Sequence, residues 1–249
     1  MRSTAMTRRT TLPASLAAGV ALLGAVASEA RGKGAKKIPL EEARIFFEYN
    51  SSARDLGAQV FLDGESWKRL KIVGPNGTIF EVEGKGSLKK TGLTELSFEG
   101  EEPSLDEVPI EEFLARFPEG EYQFVGKTVE GQNLVGRATL THAVPAGPSN
   151  VSAAVGSNNS LIISWGPVTG PAKDFPDEPI VIVGYQVIVD RVNPQPLRVF
   201  SVDLPATATK VTVSPEFIQA NAEYRFEVLA IEAGGNQTIS QSTFKSKSP

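Results

Sequence analysis

From Ile45 onward, apolar residues recur at alternate positions in short runs separated by turn residues. That is the spacing of half-buried strands rather than of helices. In the first half the runs are Ile45 to Tyr49, Gly57 to Leu62, Trp67 to Val73, Thr78 to Val82 and Leu93 to Phe98, then Tyr122 to Val129 and Leu134 to His142. Asp63-Gly64, Pro75-Asn76-Gly77 and Glu130-Gly131 supply residues that enter positive φ cheaply, and a hairpin turn is predicted at each. The last joins YQFVGKTV to LVGRATLTH, so that Tyr122 and Phe124 can face Ala138 and Leu140 across the ladder. One helix interrupts the strands. In Ile110 to Phe117, Ile110, Phe113, Leu114 and Phe117 share a face, Pro109 precedes the first turn, and Pro118 with Gly120 stops it.

The most regular stretch is Asn221 to Ala230, NAEYRFEVLA, where Tyr224, Phe226, Val228 and Ala230 alternate with mostly polar residues. Upstream, Leu161, Ile163 and Trp165 of SLIISW share a face, and GYQVIV from Gly184 to Val189 repeats the alternation. In this order and within the roughly 100 residues of one such domain, these runs resemble the second, third and sixth strands of the fibronectin type III family. The resemblance implies an Ig-like sandwich over residues 150–249, with Trp165 in its core and Tyr224 at a tyrosine corner. There are departures. Ala220 stands where the family has a proline before the corner tyrosine, and the Arg-Gly-Asp tripeptide of some members is absent. Ser214-Pro215-Glu216 is placed to cap an extra helical turn. Between Trp165 and Ile180 runs a long loop, GPVTGPAKDFPDEP, with four prolines.

The spacing of Pro118 and Tyr122 repeats that corner, so residues 41–143 are predicted to form another Ig-like sandwich, with the helix at the crossing before its penultimate long strand. Residues 144–149, VPAGPS, read as a stiff linker across which few contacts need pass. The expected fold is all-β, two tandem sandwiches.

The chain opens differently. Arg2, Arg8 and Arg9 precede an uncharged, alanine-rich run from Leu12 to Ala27, which reads as a signal peptide over residues 1–27 rather than a membrane anchor. Thr7-Arg8-Arg9-Thr10-Thr11-Leu12 partly resembles a twin-arginine signal, so a bacterial origin is expected, with that route or ordinary secretion open. Residues 28–40 read as a flexible, glycine-rich leader carrying Lys33, Lys36 and Lys37. The mature chain is then periplasmic or secreted, with no stable membrane insertion after cleavage. Without cysteine it has neither disulfides, a thiol nucleophile nor a lipoprotein anchor. Cleavage after Ala27 leaves 22 basic residues against 29 acidic ones, a formal charge of −7. That balance argues against a nucleic-acid partner, which needs a basic stripe to displace counterions.

Candidate chemistry is sparse. His142 is the only histidine and has no sequence partner to orient it or complete a metal site, so a structural role outweighs a catalytic one. No Gly-x-Ser-x-Gly elbow occurs; the nearest approach, around Ser66, lacks the last glycine. Glu41-Glu42, Glu101-Glu102 and Glu111-Glu112 read as solvated pairs. Asp174, Asp177 and Glu178 are oxygen donors in one loop, but they lack the spacing of a calcium-binding loop, and no metal or cofactor is expected. Trp67 alternates with Arg69 and Lys71, which suggests a surface position and a sugar-stacking role. Asn50, Asn76, Asn150, Asn158 and Asn236 begin glycosylation sequons that carry little meaning in a bacterial host. The sequence therefore points to a non-enzymatic exported binding module whose partner is another exported or surface protein, or a glycan. The loops at 166–179 and 142–149 are the expected binding surface, because proline lowers the ordering cost of recognition.

Overall fold

The computed structural model describes residues 36–193 and 198–246. The expected signal peptide, residues 1–27, lies outside them. The first half comprises β1 (Lys37–Pro39), β2 (Glu42–Asn50), β3 (Asp55–Gly74), β4 (Gly77–Glu83), β5 (Leu93–Glu99), β6 (Gly120–Thr128) and β7 (Asn133–Leu140). Their inward faces enclose a core built around the buried rings of Phe47, Trp67, Tyr122 and Phe124. The 20-residue strand β3 serves both parts of this sandwich. Its beginning lies between β2 and β5, and its end lies between β6 and β4.

That continuity corrects two expectations. Asp63-Gly64 is not a turn but lies within β3. A Cβ on Gly64 would come within 2.8 Å of the Leu40 side chain, so this glycine permits close packing rather than a reversal. Trp67 is 0% exposed and is no surface platform. The ladder shifts register between Asp63 and Trp67 and again between Trp67 and Arg69. Such bulges bend a strand and re-aim its side chains. They turn Trp67 inward with Leu62 and Leu70 while leaving Arg69 and Lys71 on the outer face. The turns expected at Gly77 and Gly131 do form, with φ of +112° and +86°.

The end of the segment expected to be a flexible leader, residues 28–40, is a strand instead. Lys37–Pro39 pairs in parallel with Asn133–Val135, and the Leu40 N–H donates to the Val135 carbonyl at 2.8 Å. β1 thereby covers an edge of β7 that would otherwise present unpaired backbone groups. A short helix α1 (Gly86–Thr91) follows β4 without having been predicted. Helix α2 (Ile110–Arg116) was, and it buries Ile110, Phe113 and Leu114. Phe113 and Phe117 pack edge-on against Phe47, at 5.9 and 6.2 Å. The Tyr122 hydroxyl donates to the Pro118 carbonyl at 2.9 Å, the corner contact that the spacing implied. Burial pushes the Tyr122 phenol up to about 12.

The second half contains β8 (Ser149–Val155), β9 (Leu161–Gly166), β10 (Ile182–Asn193), β11 (Arg198–Pro205), β12 (Lys210–Val213), β13 (Glu223–Glu232) and β14 (Gln237–Lys245). β12, β9 and β8 form one sheet; β14, β13, β10 and β11 form the facing one. Leu161, Ile163 and Trp165 are buried between them, and the Trp165 ring lies 5.4 Å from that of Tyr185. Tyr224 is buried, accepts the Gln219 N–H at 2.6 Å and donates to the Phe217 carbonyl at 3.4 Å. The segment after Ser214 forms consecutive turns, Phe217 N–H to Ser214 O and Ile218 N–H to Pro215 O, rather than a helix.

The two sandwiches lie in one compact unit, Ala35–Pro249. β14 pairs in parallel with β2, matching Gln237, Thr238 and Ile239 to Glu48, Tyr49 and Asn50. The four-stranded sheet of the second sandwich thus runs on into the first.

Candidate functional site

The loops expected to bind a partner are engaged at this junction. The linker was expected to carry few contacts, yet Val144 is 0% exposed and Thr238 Oγ1 donates to the Pro145 carbonyl at 2.5 Å. The Ala146 N–H donates to the Gly170 carbonyl and the Ala172 N–H to the Val144 carbonyl, both at 2.9 Å. Proline offers a carbonyl but no N–H, so this segment takes its donors from neighbouring chain. Ala172 and Phe175, from the proline-rich loop, belong to the core of the first sandwich, and Phe175 packs on Tyr49 at 5.0 Å. Asp174 is in an ion pair with Arg54 at 3.4 Å. The loop reaches back across the boundary and acts as a clamp.

Asn236 fastens the junction, a role that its sequon did not suggest. Its side chain is buried, and its Oδ1 accepts the Phe47 N–H at 2.8 Å. Its Nδ2 donates to the carbonyls of Thr141 at 3.0 Å and Ala143 at 3.1 Å. One amide thus ties β2, the end of the first sandwich and the turn before β14. The Ser51 hydroxyl adds a bond to the Ile239 carbonyl at 2.7 Å.

His142 stands beside this amide. Its Nε2 is 2.9 Å from the Phe117 carbonyl, its backbone N–H donates to Glu119 Oε1 at 2.7 Å, and its ring lies 5.8 Å from Phe47. Glu178, from the clamp loop, faces the same cluster. Burial raises its carboxyl above the usual range; the charge and hydrogen bond of Glu119 and the charge of Glu232 add to this, and His142 opposes it. Glu232 is itself raised by burial, against lowering hydrogen bonds from the Gly234 and Ala233 backbone. The arrangement is an interface in which acid groups are pressed together. The structure therefore separates two of the loop acids: Asp174 turns to Arg54 and Glu178 to Glu119. Among the described residues, the group of acids close enough to share an ion is Glu48, Glu99 and Glu102. Gln237 donates to Glu48, and Gln59 donates to Glu99 at 2.5 Å, so amide hydrogen bonds already use two of these three carboxylates.

The open surface lies elsewhere, on the outward face of β1, β7, β6, the end of β3, and β4. Register fixes its layout. Across one row, Lys37 pairs with Asn133, Asn133 with Lys127, Lys127 with Arg69 and Arg69 with Glu83. The next row runs Val135, Val125, Lys71 and Glu81. Beyond it, Gln123 pairs with Arg137. Two adjoining clefts of about 530 and 380 Å³ lie on this face and share Val125, Gly126 and Asn133. Arg137 is in an ion pair with Glu121 at 3.0 Å, and the Lys127 ammonium donates to Asn133 Oδ1 at 2.5 Å. Among the described residues, Arg69, Lys71 and Lys127 form no ion pair. Sequence reasoning saw that Arg69 and Lys71 share a face, but the bulges that exclude Trp67 from it, and the strands that bring Lys127 and Lys37 to it, are not local features.

The chain is an all-β protein of sandwich architecture, and no helix among its described residues is long and apolar enough to cross a membrane. Its structural neighbours are fibronectin type III domains. One is the fn3 domain of human collagen alpha-1(XX) chain, with 25% identity, 44% of this chain and 90% of that chain covered, and a TM-score of 0.33. A two-domain fibronectin type III segment of chicken tenascin matches at 13% identity over 83% of this chain and 99% of its own, with a TM-score of 0.31. The FN1-FN3 domains of chicken CNTN1 match at 12% identity over 86% of this chain and 67% of theirs, with a TM-score of 0.33. No protein-family model matches the chain, nor does any curated protein.

Proposed function

We propose that this is an exported, non-enzymatic binding module: a stiff two-sandwich platform, periplasmic or secreted after loss of residues 1–27, that holds another exported or surface macromolecule. The observation that carries the reading is the junction. β14 continues the sheet of the first sandwich through β2, and the loops that commonly vary among sandwich proteins are spent on fastening the halves together. Such fastening favours presentation of fixed surfaces, because a rigid frame lowers the ordering cost of association. The single histidine is engaged by Phe117, Glu119 and Phe47, which suits a structural part better than proton transfer. Fold alone does not assign function, so the reading is tested on binding. The mature chain, immobilised and exposed to cell-envelope extract, is expected to retain one macromolecule reproducibly, and the purified pair is expected to re-form. Turnover in a broad hydrolase screen, abolished by one carboxylate substitution in a folded variant, would replace this reading with an enzymatic one.

A further inference from the structure

We propose that the cationic outer face of β1, β7, β6, β3 and β4 is a binding site for a linear glycan bearing carboxylate groups. The inference rests on the binding-module reading and names its partner. The face is unusual for this chain, which is acidic overall. Lys127 and Arg69 are direct cross-strand partners, and Lys71 lies two residues further along β3. Like charges placed directly opposite destabilise a sheet; Glu83 on β4 faces Arg69 from its other side and offsets part of this, while on the Lys127 side an anion lying between the two cations would turn repulsion into attraction. Glu83 is held below the usual carboxylate range, chiefly by its hydrogen bond from Lys85, with Lys89 and Arg69 adding to the effect.

The rest of the face selects among anions. Adjacent strands stand ~4.8 Å apart, and the cations recur from strand to strand, which suits a polymer laid across them in the adjoining clefts. Beside the cations lies the side-chain amide of Gln123, which donates one N–H to Glu121 at 3.1 Å and has a second N–H and a carbonyl of the kind that pairs with hydroxyl groups. An uncharged glycan would need an aromatic stacking surface, and Trp67 is buried behind the sheet. Single-stranded nucleic acid would likewise seek aromatic platforms. Glu83 and Glu81 end these rows directly opposite Arg69 and Lys71, which disfavours a densely charged polyphosphate. Val125, 37% exposed, is the large apolar group the clefts present, too little for the anchored centre of a protein interface.

The test uses the mature chain with polygalacturonate as probe, dextran as its uncharged counterpart, and phosphatidylglycerol vesicles and a single-stranded DNA oligonucleotide as competing polyanions. Polygalacturonate is expected to bind, to weaken as salt rises, and to exceed the other three. The double substitution Arg69→Glu with Lys127→Glu is expected to lower affinity at least about tenfold, since it turns two attractive contacts repulsive. The milder pair Arg69→Gln with Lys127→Gln should lower it by less while leaving the melting temperature unchanged. Lys210→Glu with Lys245→Glu changes the net charge equally, on the second sandwich and away from the face, and should leave affinity within about twofold, because exposed charges beyond a Debye length are screened. Absence of polygalacturonate binding, equal loss in the control pair, or preference for vesicles or DNA would overturn the proposal. If envelope material binds the platform and survives the double charge reversal, the binding-module reading stands and this site assignment falls. If nothing from the envelope binds at all, both fall.

Discussion

Replacing Asn236 by alanine removes the amide that joins three segments of the junction. The Phe47 N–H and the Ala143 carbonyl are left without that partner in a buried site, as is the Thr141 carbonyl in a partly buried one. An orphaned buried group costs on the order of 1–3 kcal/mol, and water reaching the Thr141 end offsets part of it, so the expected loss is about 3 kcal/mol. Urea unfolding is the assay: the midpoint falls while the slope stays constant, which separates a stability change from a change in unfolded-state compactness. Asn236→Asp sharpens the test. It keeps an acceptor for Phe47 but turns a carboxylate oxygen toward two carbonyl oxygens, so near neutral pH it should cost more than alanine. Protonation restores a donor, and the folded-state pKa of the new acid is therefore raised. Its penalty accordingly grows as pH rises through the carboxylate range and shrinks in acid. A loss below about 0.5 kcal/mol for alanine, the range of ordinary surface substitutions, or an aspartate variant that tracks alanine at every pH, would refute the role assigned to this amide.

Glu178→Gln should stabilise the chain at neutral pH and leave it unchanged in acid: the raised Glu178 carboxyl contributes stability below its unfolded pKa that is lost as pH rises through its folded one, as a pH series of unfolding midpoints will show. Tyr122→Phe should cost about 1 kcal/mol at neutral pH by deleting the hydrogen bond to Pro118. In the parent, the Tyr122 contribution persists up to the ordinary phenol value of 10.0 and fades toward about 12, so the variant should show a shallower alkaline decline in chemical unfolding. Trp67 and Trp165 are both buried, so the folded chain should emit at shorter wavelength than the urea-unfolded chain, and Trp67→Phe should leave a spectrum that is still blue-shifted.

How far each part was legible depended on how local its cause is. Tyr224, Phe226 and Val228 alternate without interruption, and β13 pairs on both sides without a shift over that stretch, so period and burial agree. The same held for Leu161, Ile163 and Trp165, and for the helix at Ile110. Trp67 failed because alternation carries no mark of a bulge: counting by twos from Arg69 places it outside, and two register shifts place it inside. The junction was hidden for a different reason. Asn236 and Phe47 are separated by 189 residues, and the parallel pairing of β14 with β2 leaves no periodic trace in either strand. Proline and glycine in VPAGPS describe a stiff segment correctly, but stiffness does not say what donates to its carbonyls. The cationic face was half visible. Arg69 and Lys71 showed their shared side, while Lys127 and Lys37 reach it through long-range pairing.

The two sandwiches form one rigid platform. Backbone ¹⁵N relaxation on residues 28–249 tests it most directly, because it reports the tumbling of each half separately. A single rotational diffusion tensor is expected to fit the strands of both sandwiches, and Asn236→Ala is expected to loosen this agreement. Two independent tensors in the unsubstituted protein, with faster tumbling of each half than the whole would allow, would contradict it.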